Sequence, residues 1–201
     1  MIKSVSESQE EILNSIKALY FNGKEYECDI TYGNGAFWKH IKAPKMKYDI
    51  TPLKPGVIKA DSTNLPISNG VLNNVVYDPP FITYVKAGRL HNSIMSKRFG
   101  GYYSYDDLQK NYTETLVEVN RVLKRKGLLV FKCQDLIHNH KMHSTHVNII
   151  CWADYFGFNL VDLFILMAKH RMPVLTKMNS NNWTQKHARI FHSYFLVLEK
   201  R

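Results

Sequence analysis

The residues Asp78-Pro79-Pro80-Phe81 form the clearest chemical pattern in this chain of 201 residues. They follow the apolar run from Asn73 to Tyr77, which predicts a buried strand. Two successive prolines hold the backbone extended and remove its amide donors, so that carbonyl groups stay available as acceptors. The pattern therefore places a carboxylate, free carbonyls and an aromatic ring together at the end of one strand.

An exocyclic amino group of adenine or cytosine is a target that suits this motif. Its lone pair is delocalised into the ring, so the amine is a poor nucleophile until acceptors hold it and orient the lone pair. Asp78 and the Pro79 carbonyl can accept the amine hydrogens, and Phe81 can stack on a base that is turned out of a duplex. The alternative is a proline-rich turn that only terminates the strand.

Acidic residues also mark three earlier predicted strands. Asp29 lies in the first, ahead of the turn Tyr32-Gly33-Asn34-Gly35, while Asp49 closes the second and Asp61 follows the third. Glycines let backbone amides approach a ligand, and acidic side chains bind amines or hydroxyls. Because ligands bind at the carboxyl edge of a parallel sheet, these residues are candidates for one shared site. The third glycine of a dinucleotide fingerprint is replaced by aromatic residues, which disfavours NAD.

Helical periodicity and short apolar runs alternate along most of the chain. Helices are predicted over Glu7 to Tyr20, Ser104 to Lys124 and Thr145 to Phe156. Strands are predicted over Tyr26 to Thr31, Met46 to Ile50, Gly56 to Ala60, Asn73 to Tyr77, Leu128 to Lys132, Phe158 to Met167 and Ile190 to Leu198. The alternation predicts an α/β fold with a mainly parallel sheet and helices on both faces. Lys126-Gly127 is expected to end the second helix.

The length and a hydrophobic content of 45% predict one domain over residues 1–201. Within it we expect a helical segment at 1–24 and two basic loops at 82–103 and 169–189. Three cysteines without paired spacing disfavour disulfides and zinc fingers, which indicates a reducing compartment, the cytoplasm. The chain has neither a signal peptide nor an uncharged stretch of about 20 residues, so we expect a soluble protein without a membrane partner.

Basic residues outnumber acidic ones, with 27 Lys and Arg against 17 Asp and Glu, which gives a net charge of +10. A surplus of this size on a small domain favours a nucleic acid as partner. The candidate substrate-binding residues are Lys86, Arg89, His91, Lys97 and Arg98 in one loop, Lys132 at a strand end, and Lys169, Arg171, Lys177, Lys186 and Arg189 in the other loop. The alternative is that these basic loops are merely solvated.

Four histidines, His138, His140, His143 and His146, suggest a metal site at first sight. Their spacing matches no zinc motif, and no nearby cysteine or paired carboxylate completes a tetrahedral set. We therefore expect no metal. The histidines fall in the loop and helix start after the fifth predicted strand, where they are candidates for contact with substrate phosphate or base.

Taken together, these motifs resemble those of the class I S-adenosylmethionine-dependent amino-methyltransferases with an Asp-Pro-Pro-Phe tetrad, which modify DNA or RNA. The resemblance begins at about Cys28 and spans nearly the whole chain, and it is strongest to small phage and bacterial DNA methylase-like proteins. The segments with recognisable counterparts there are Arg121 to Lys124, Gly127 to Asp135, His187 to Arg189 and Ser193 to Phe195.

The resemblance implies a Rossmann-like sheet of seven strands with an antiparallel last strand, and S-adenosyl-L-methionine as cofactor. It assigns Asp29, Gly33 and Gly35 to the methionine end of the cofactor, Asp49 to the ribose hydroxyls and Asp61 to the adenine. The full set of expected cofactor contacts is Asp29, Thr31, Tyr32, Gly33, Gly35, Asp49, Ile50, Asp61, Ser62 and Asp78. The catalytic tetrad is Asp78 to Phe81, with Asp78 on the target amine, Phe81 on the base, and direct methyl transfer between them.

The expected substrate is DNA, with N6 of adenine favoured over N4 of cytosine. RNA methylation is the nearest alternative, because the chain lacks an insertion long enough for a separate target-recognition domain. A non-catalytic nucleic-acid-binding protein of the same fold is a second alternative, and methylation of a small molecule or a protein glutamine is a third. The sequence does not distinguish a monomer from a homodimer.

Overall fold

The computed structural model describes residues 1–83, 101–168 and 186–201. Within these ranges it contains an eight-stranded sheet, a two-stranded hairpin, three α-helices and a 3-10 helix at Ala36–Trp38. The elements are β1 Val5–Ser6, α1 Gln9–Tyr20, β2 Cys28–Asp29, β3 Met46–Asp49, β4 Ile58–Lys59, β5 Leu72–Tyr77, α2 Tyr105–Val122, β6 Leu123–Cys133, β7 Leu136–His138, β8 Lys141–His143, α3 Thr145–Tyr155, β9 Phe158–Met167 and β10 His192–Lys200. No helix in the described ranges is long and apolar enough to cross a membrane.

The large sheet has the strand order β1-β9-β10-β6-β5-β2-β3-β4. Only β10 runs antiparallel to its neighbours β6 and β9, and every other pair in this sheet is parallel. The predicted parallel sheet with an antiparallel last strand is confirmed. The number of strands was wrong, because β1 adds an eighth strand at the edge beside β9. A strand of two residues is too short to produce a periodic signal.

Side chains of the central strands alternate between two hydrophobic cores, one on each face of the sheet. In β5, Val75 and Tyr77 belong to the core built with α2 and α3, while Val76 belongs to the core built with α1. All three side chains are fully buried or nearly so. The prediction of helices on both faces is therefore confirmed.

Several parallel strands are shorter than predicted, and β2 shows why. Asn74 of β5 accepts a hydrogen bond from the Glu27 amide (2.9 Å) and donates one to the Glu25 carbonyl (3.1 Å). The Asn74 side chain thus takes the place of backbone hydrogen bonds between β5 and the residues before Cys28. Regular strand pairing is therefore limited to Cys28–Asp29. The predicted strand from Tyr26 to Thr31 keeps its place but loses both ends.

The boundary between α2 and β6 also differs from the prediction. α2 ends at Val122 and β6 begins at once with Leu123, whereas the pattern predicted a helix to Lys124 and a stop at Lys126-Gly127. Leu123 pairs with the first residue of β5 and is fully buried, so tertiary pairing ends the helix early. Gly127 instead lies inside β6, where a Cβ would come within 2.8 Å of the Lys124 carbonyl oxygen.

The hairpin of β7 and β8 was not predicted, and the sequence analysis placed a loop there. Leu136–His138 pairs antiparallel with Lys141–His143 across a two-residue turn. Both turn residues, Asn139 and His140, have positive φ angles of 49° and 61°. A tight hairpin turn needs this conformation, but a histidine in the second position gives no recognisable turn signal.

Candidate active site

A cavity of about 660 Å³ opens at the carboxyl ends of β2, β3, β5 and β6. This volume lies within the usual range for small-molecule sites. The structure brings twelve of the residues predicted from the sequence to its wall: Thr31, Tyr32, Gly33, Asp49, Ile50, Asp61, Ser62, Asp78, Pro79, Pro80, Phe81 and Lys132. They converge because parallel strands end at the same edge of the sheet.

Four of the other predicted residues lie within the described ranges but not on the wall of this cavity. Asp29 and Gly35 are close to it in the chain but are absent from its wall. Lys186 and Arg189 are exposed, and the Arg189 guanidinium lies 5.5 Å from the Phe191 ring centroid. The basic residues Lys86, Arg89, His91, Lys97, Arg98, Lys169, Arg171 and Lys177 lie outside the described residues.

Asp29 is buried and holds the turn that follows β2. Its Oδ2 accepts a hydrogen bond from the Trp38 indole (2.6 Å), and its Oδ1 accepts one from the Thr31 amide (2.8 Å). Burial raises the pKa of Asp29 to about 7, although both hydrogen bonds oppose that shift, while the carboxyls of Asp78 and Asp49 add to it. The side chain therefore supports the cavity from beneath its wall.

The glycine turn is tied to the end of β3 through Asp49. Gly33 has a φ of +53°, and its amide donates to Asp49 Oδ2 (2.7 Å), while the Thr51 amide donates to Asp49 Oδ1 (2.7 Å). At Gly35, with a φ of +76°, a Cβ would lie 2.9 Å from the Tyr32 hydroxyl oxygen. Gly35 thus shapes the site by leaving room for the Tyr32 ring, which lines the cavity.

Asp61 and Ser62 are fixed by hydrogen bonds, one set local and one to α2. Asp61 Oδ1 accepts from the Thr63 amide (2.9 Å) and from the Thr63 hydroxyl (2.8 Å). The Ser62 and Thr115 hydroxyls lie 3.0 Å apart, which joins this loop to α2. Both predicted residues are therefore held by bonds that orient them.

A polar network that the sequence analysis did not predict lines the cavity beside Tyr77. Asn111 Oδ1 accepts hydrogen bonds from the hydroxyls of Tyr77 (2.9 Å) and Tyr102 (2.7 Å), and all three residues line the cavity. Because two hydroxyls take the oxygen of Asn111, its amide nitrogen is left as the donor. The sequence did hold a signal for this network. Asn111 and Thr115 are four residues apart, so they lie on one side of α2, beside its apolar face.

Asp78 follows the end of β5 and is held by both neighbouring strands. Its amide donates to the Thr31 hydroxyl (2.8 Å), and its Oδ1 lies 3.5 Å from Lys132 Nζ. Burial raises the pKa of Asp78, and the Lys132 ammonium opposes that shift. The tetrad is also fixed from α2, because the Tyr112 hydroxyl donates to the Pro80 carbonyl (3.0 Å).

The four histidines make separate contacts, although the rings of His138 and His143 lie 6.3 Å apart between centroids. His138 Nδ1 lies 3.1 Å from the Thr83 hydroxyl, and the His140 carbonyl contacts a histidine ring beyond β9. His143 stacks on Tyr105, with ring centroids 3.8 Å apart. His146 Nδ1 lies 2.7 Å from Asp135 Oδ1, and the His146 ring stacks on Tyr194. In the described part of the chain, no three acidic, histidine or cysteine side chains form a group that could hold a metal ion.

Comparison with known proteins gives structural matches only. No protein-family profile and no curated protein matches the sequence. A Thermotoga maritima S-adenosylmethionine-dependent methyltransferase, a possible histamine N-methyltransferase, matches with a TM-score of 0.54 and 14% identity over 97% of this chain and 90% of its own. A Methanosarcina mazei S-adenosylmethionine-dependent methyltransferase matches with a TM-score of 0.52 and 11% identity over 92% of this chain and 96% of its own.

A Thermus thermophilus protein thought to be a DNA modification methylase matches with a TM-score of 0.48 and 15% identity over 88% of this chain. The chain spans about half of that protein, 54% of its length. The Thermotoga maritima and Methanosarcina mazei matches, which cover nearly the whole of both chains, show that this chain has the Rossmann-like fold of the class I methyltransferases.

Proposed function

We propose that this protein is an S-adenosylmethionine-dependent methyltransferase that acts on the exocyclic amino group of a nucleic-acid base. The observation that carries the proposal is the position of the Asp78 carboxylate and Phe81 on the same cavity as Gly33, Asp49 and Asp61. One cavity thus offers both an acceptor for an amine and a set of groups for a cofactor.

The part of the cavity next to β2, β3 and β4 suits S-adenosylmethionine. Ile50 and Leu53 line it although they are 63% and 47% exposed, and an adenine ring would cover such apolar surface. Asp49 would hold the ribose hydroxyls, Asp61 and Ser62 the adenine, and the turn at Gly33 the methionine end. Bound there, the cofactor supplies an electrophilic methyl group on a sulfonium.

Asp29 has a supporting role in this proposal. Its oxygens are bonded to Trp38 and Thr31, so it fixes the turn that would hold the methionine end of the cofactor. The Thr31 hydroxyl in turn accepts from the Asp78 amide, which joins the cofactor side of the cavity to the tetrad.

The tetrad would hold and orient the target amine. An ionised Asp78 accepts one amine hydrogen, and the Pro79 carbonyl is the second acceptor, so the nitrogen lone pair is turned away from the base ring. Phe81 provides a face for stacking, and the base must leave its stack to reach it. Transfer is then direct, since positioning alone provides a large part of the acceleration and no enzyme nucleophile is needed.

DNA is the favoured substrate, with N6 of adenine ahead of N4 of cytosine, and RNA is the alternative. The net charge of +10 supports a polyanion over a small neutral molecule. The resemblance of the tetrad to DNA amino-methyltransferases favours adenine in DNA.

The test is transfer of labelled methyl from S-adenosylmethionine to DNA and to RNA in parallel, followed by digestion to nucleosides. Label in N6-methyl-2′-deoxyadenosine from the DNA is the expected product. Label in RNA alone would show that RNA, the alternative, is the substrate. Cofactor binding without transfer to either polymer would contradict the proposed function.

A further inference from the structure

Lys132 is the one cation that lines the cavity among the described residues. It shares the wall with the carboxyl groups of Asp49, Asp61 and Asp78. Its position follows from strand register, because Tyr77 of β5 pairs with Phe131 of β6, and Asp78 and Lys132 are the next residue of each strand. Its Nζ lies 3.5 Å from Asp78 Oδ1, and its side chain is only 14% exposed.

The other contacts of the Lys132 ammonium with the described residues are to uncharged groups. Lys132 Nζ donates to Gln9 Oε1 (3.0 Å) and lies 5.3, 6.0 and 5.5 Å from the ring centroids of Phe37, Phe81 and Phe195. Cation–π attraction of this kind strengthens when the cation is withdrawn from water. The side chain is therefore held beside Asp78 and largely withdrawn from bulk solvent.

The position of Gln9 is itself fixed. Its amide nitrogen donates to the Phe37 carbonyl (2.9 Å), so the Gln9 oxygen is left for Lys132. Gln9 is the first residue of α1, whose start is capped by the Ser8 hydroxyl. A helix start, the 3-10 segment and β10 thus combine to keep one lysine in one place.

We propose that Lys132 is a positioning residue, which holds the Asp78 carboxylate ionised and aligned as the acceptor for the target amine. The inference rests on the proposed function and deepens it. It assigns Lys132 to the pocket for the target base, whereas the sequence alone suggested a contact with substrate phosphates. Only the ionised carboxylate offers every lone pair as an acceptor, whereas a protonated one carries a competing donor.

Burial of the Asp78 carboxyl, and an acidic group beside it, explain why a cation is needed. On β2, the Asp29 carboxyl interacts unfavourably with Asp78 and with Asp49 when these are ionised. On α2, the nearby titratable group is the Tyr112 phenol, which is neutral, and α1 offers only the amide of Gln9. Within the described chain, Lys132 on β6 therefore provides the compensating charge at Asp78.

The experiment compares Lys132→Met, Lys132→Gln and Lys132→Arg with the wild-type protein. The control is Lys126→Met, because Lys126 lies on the same strand but pairs with Glu199 at the surface. The measurements are the pH profile of kcat/KM for methyl transfer, its salt dependence, and the titration of the Asp78 carboxyl by ¹³C NMR. The NMR titration needs no activity, so it tests the inference independently of the proposed function.

Without the ammonium, Asp78 binds its proton more tightly, so the acid limb of kcat/KM must move to higher pH. We expect Lys132→Met and Lys132→Gln to move it by about one pH unit, which lowers kcat/KM by about tenfold at pH values below the wild-type limb and leaves it unchanged at high pH. The Asp78 NMR titration must move in the same direction. Lys132→Arg keeps the charge and must keep the wild-type limb, and Lys126→Met must leave both readouts unchanged.

Three results would overturn the inference. The first is an unmoved Asp78 titration in both neutral variants. The second is an equal loss of activity at every pH, as a purely structural role predicts. The third is a decrease of about one in the salt slope, which marks a lost phosphate contact. An inactive wild-type protein with a shifted Asp78 titration would instead contradict the proposed function and leave only the effect of Lys132 on the ionisation of Asp78 standing.

Discussion

The Tyr112 hydroxyl donates a hydrogen bond of 3.0 Å to the Pro80 carbonyl, and this bond joins α2 to the turn after β5. Tyr112 is fully buried, and its ring packs edge-on against Tyr77 and Phe131. A rigid aromatic anchor therefore sets the path of the backbone that carries Asp78 and Phe81.

Removing that hydroxyl should impair transfer more than folding. Tyr112→Phe leaves the Pro80 carbonyl without its donor, which costs about 1 kcal/mol in the free energy of unfolding. A small displacement of the tetrad should lower kcat by about tenfold. The control is Tyr105→Phe on the same helix, where the lost hydroxyl accepts a hydrogen bond from Asn148 of α3 (2.8 Å) and does not touch the tetrad. Equal kcat values for the two variants would contradict this role.

Asp49→Asn should weaken cofactor binding. Asp49 accepts from the Gly33 and Thr51 amides with separate oxygens, and asparagine has only one acceptor oxygen. Loss of a bond to a charged group should raise the Kd for S-adenosylmethionine by about tenfold or more, as measured by calorimetry. Asp154→Asn, which changes an exposed carboxyl paired with Arg201, is the control and should leave Kd unchanged. An unaltered Kd in Asp49→Asn would remove Asp49 from the cofactor site.

Gly35→Ala and Gly56→Ala separate backbone strain from crowding. Both glycines have φ near +76°, so both substitutions impose similar strain of about 1 kcal/mol. Only at Gly35 would the new Cβ meet the Tyr32 ring, whereas nothing lies within 4 Å at Gly56. We expect Gly35→Ala to be the more destabilising by about 1 kcal/mol or more in urea unfolding, and to weaken cofactor binding. Equal losses of stability would show that Tyr32 moves aside freely.

Asp29 should make stability depend on pH in the neutral range. Its pKa is about 7 in the folded state and about 3.9 when unfolded, so the folded state alone holds the proton between these values. The contribution of Asp29 to the free energy of unfolding therefore falls as pH rises from about 4 to 7. Asp29→Asn should flatten the slope by up to about 1.4 kcal/mol per pH unit in urea unfolding at pH 5, 6 and 7. An unchanged slope would mean that Asp29 is ionised throughout.

The convergence of the cavity residues was predictable because it depends on local order. Each of Asp49, Asp61 and Asp78 closes or follows an apolar run, and parallel strands carry such residues to one edge. The helices α1 and α3 were predicted within two residues at either end, since the Ser8 cap of α1 and Gly157, which follows α3 with a φ of 88°, are local signals.

What escaped prediction depends on tertiary pairing. Leu123 suits a helix or a strand equally well by its pattern, and only its pairing with β5 decides. Asn111 and Tyr102 reach the cavity from α2 and from the segment before it, so no strand-end rule identifies them. The sequence predicted that Lys132 lies near a strand end. It did not predict that Lys132 pairs with Asp78, because that contact depends on the register between β5 and β6.

The most direct measurement compares wild-type protein with Asp78→Asn for labelled methyl transfer to DNA, with cofactor binding measured on the same samples. Asparagine keeps the size of the side chain but replaces one acceptor oxygen with a donor. The account predicts that transfer falls by about a hundredfold or more while the Kd for S-adenosylmethionine changes little. Undiminished transfer by Asp78→Asn would contradict the assignment of Asp78 as the acceptor for the target amine.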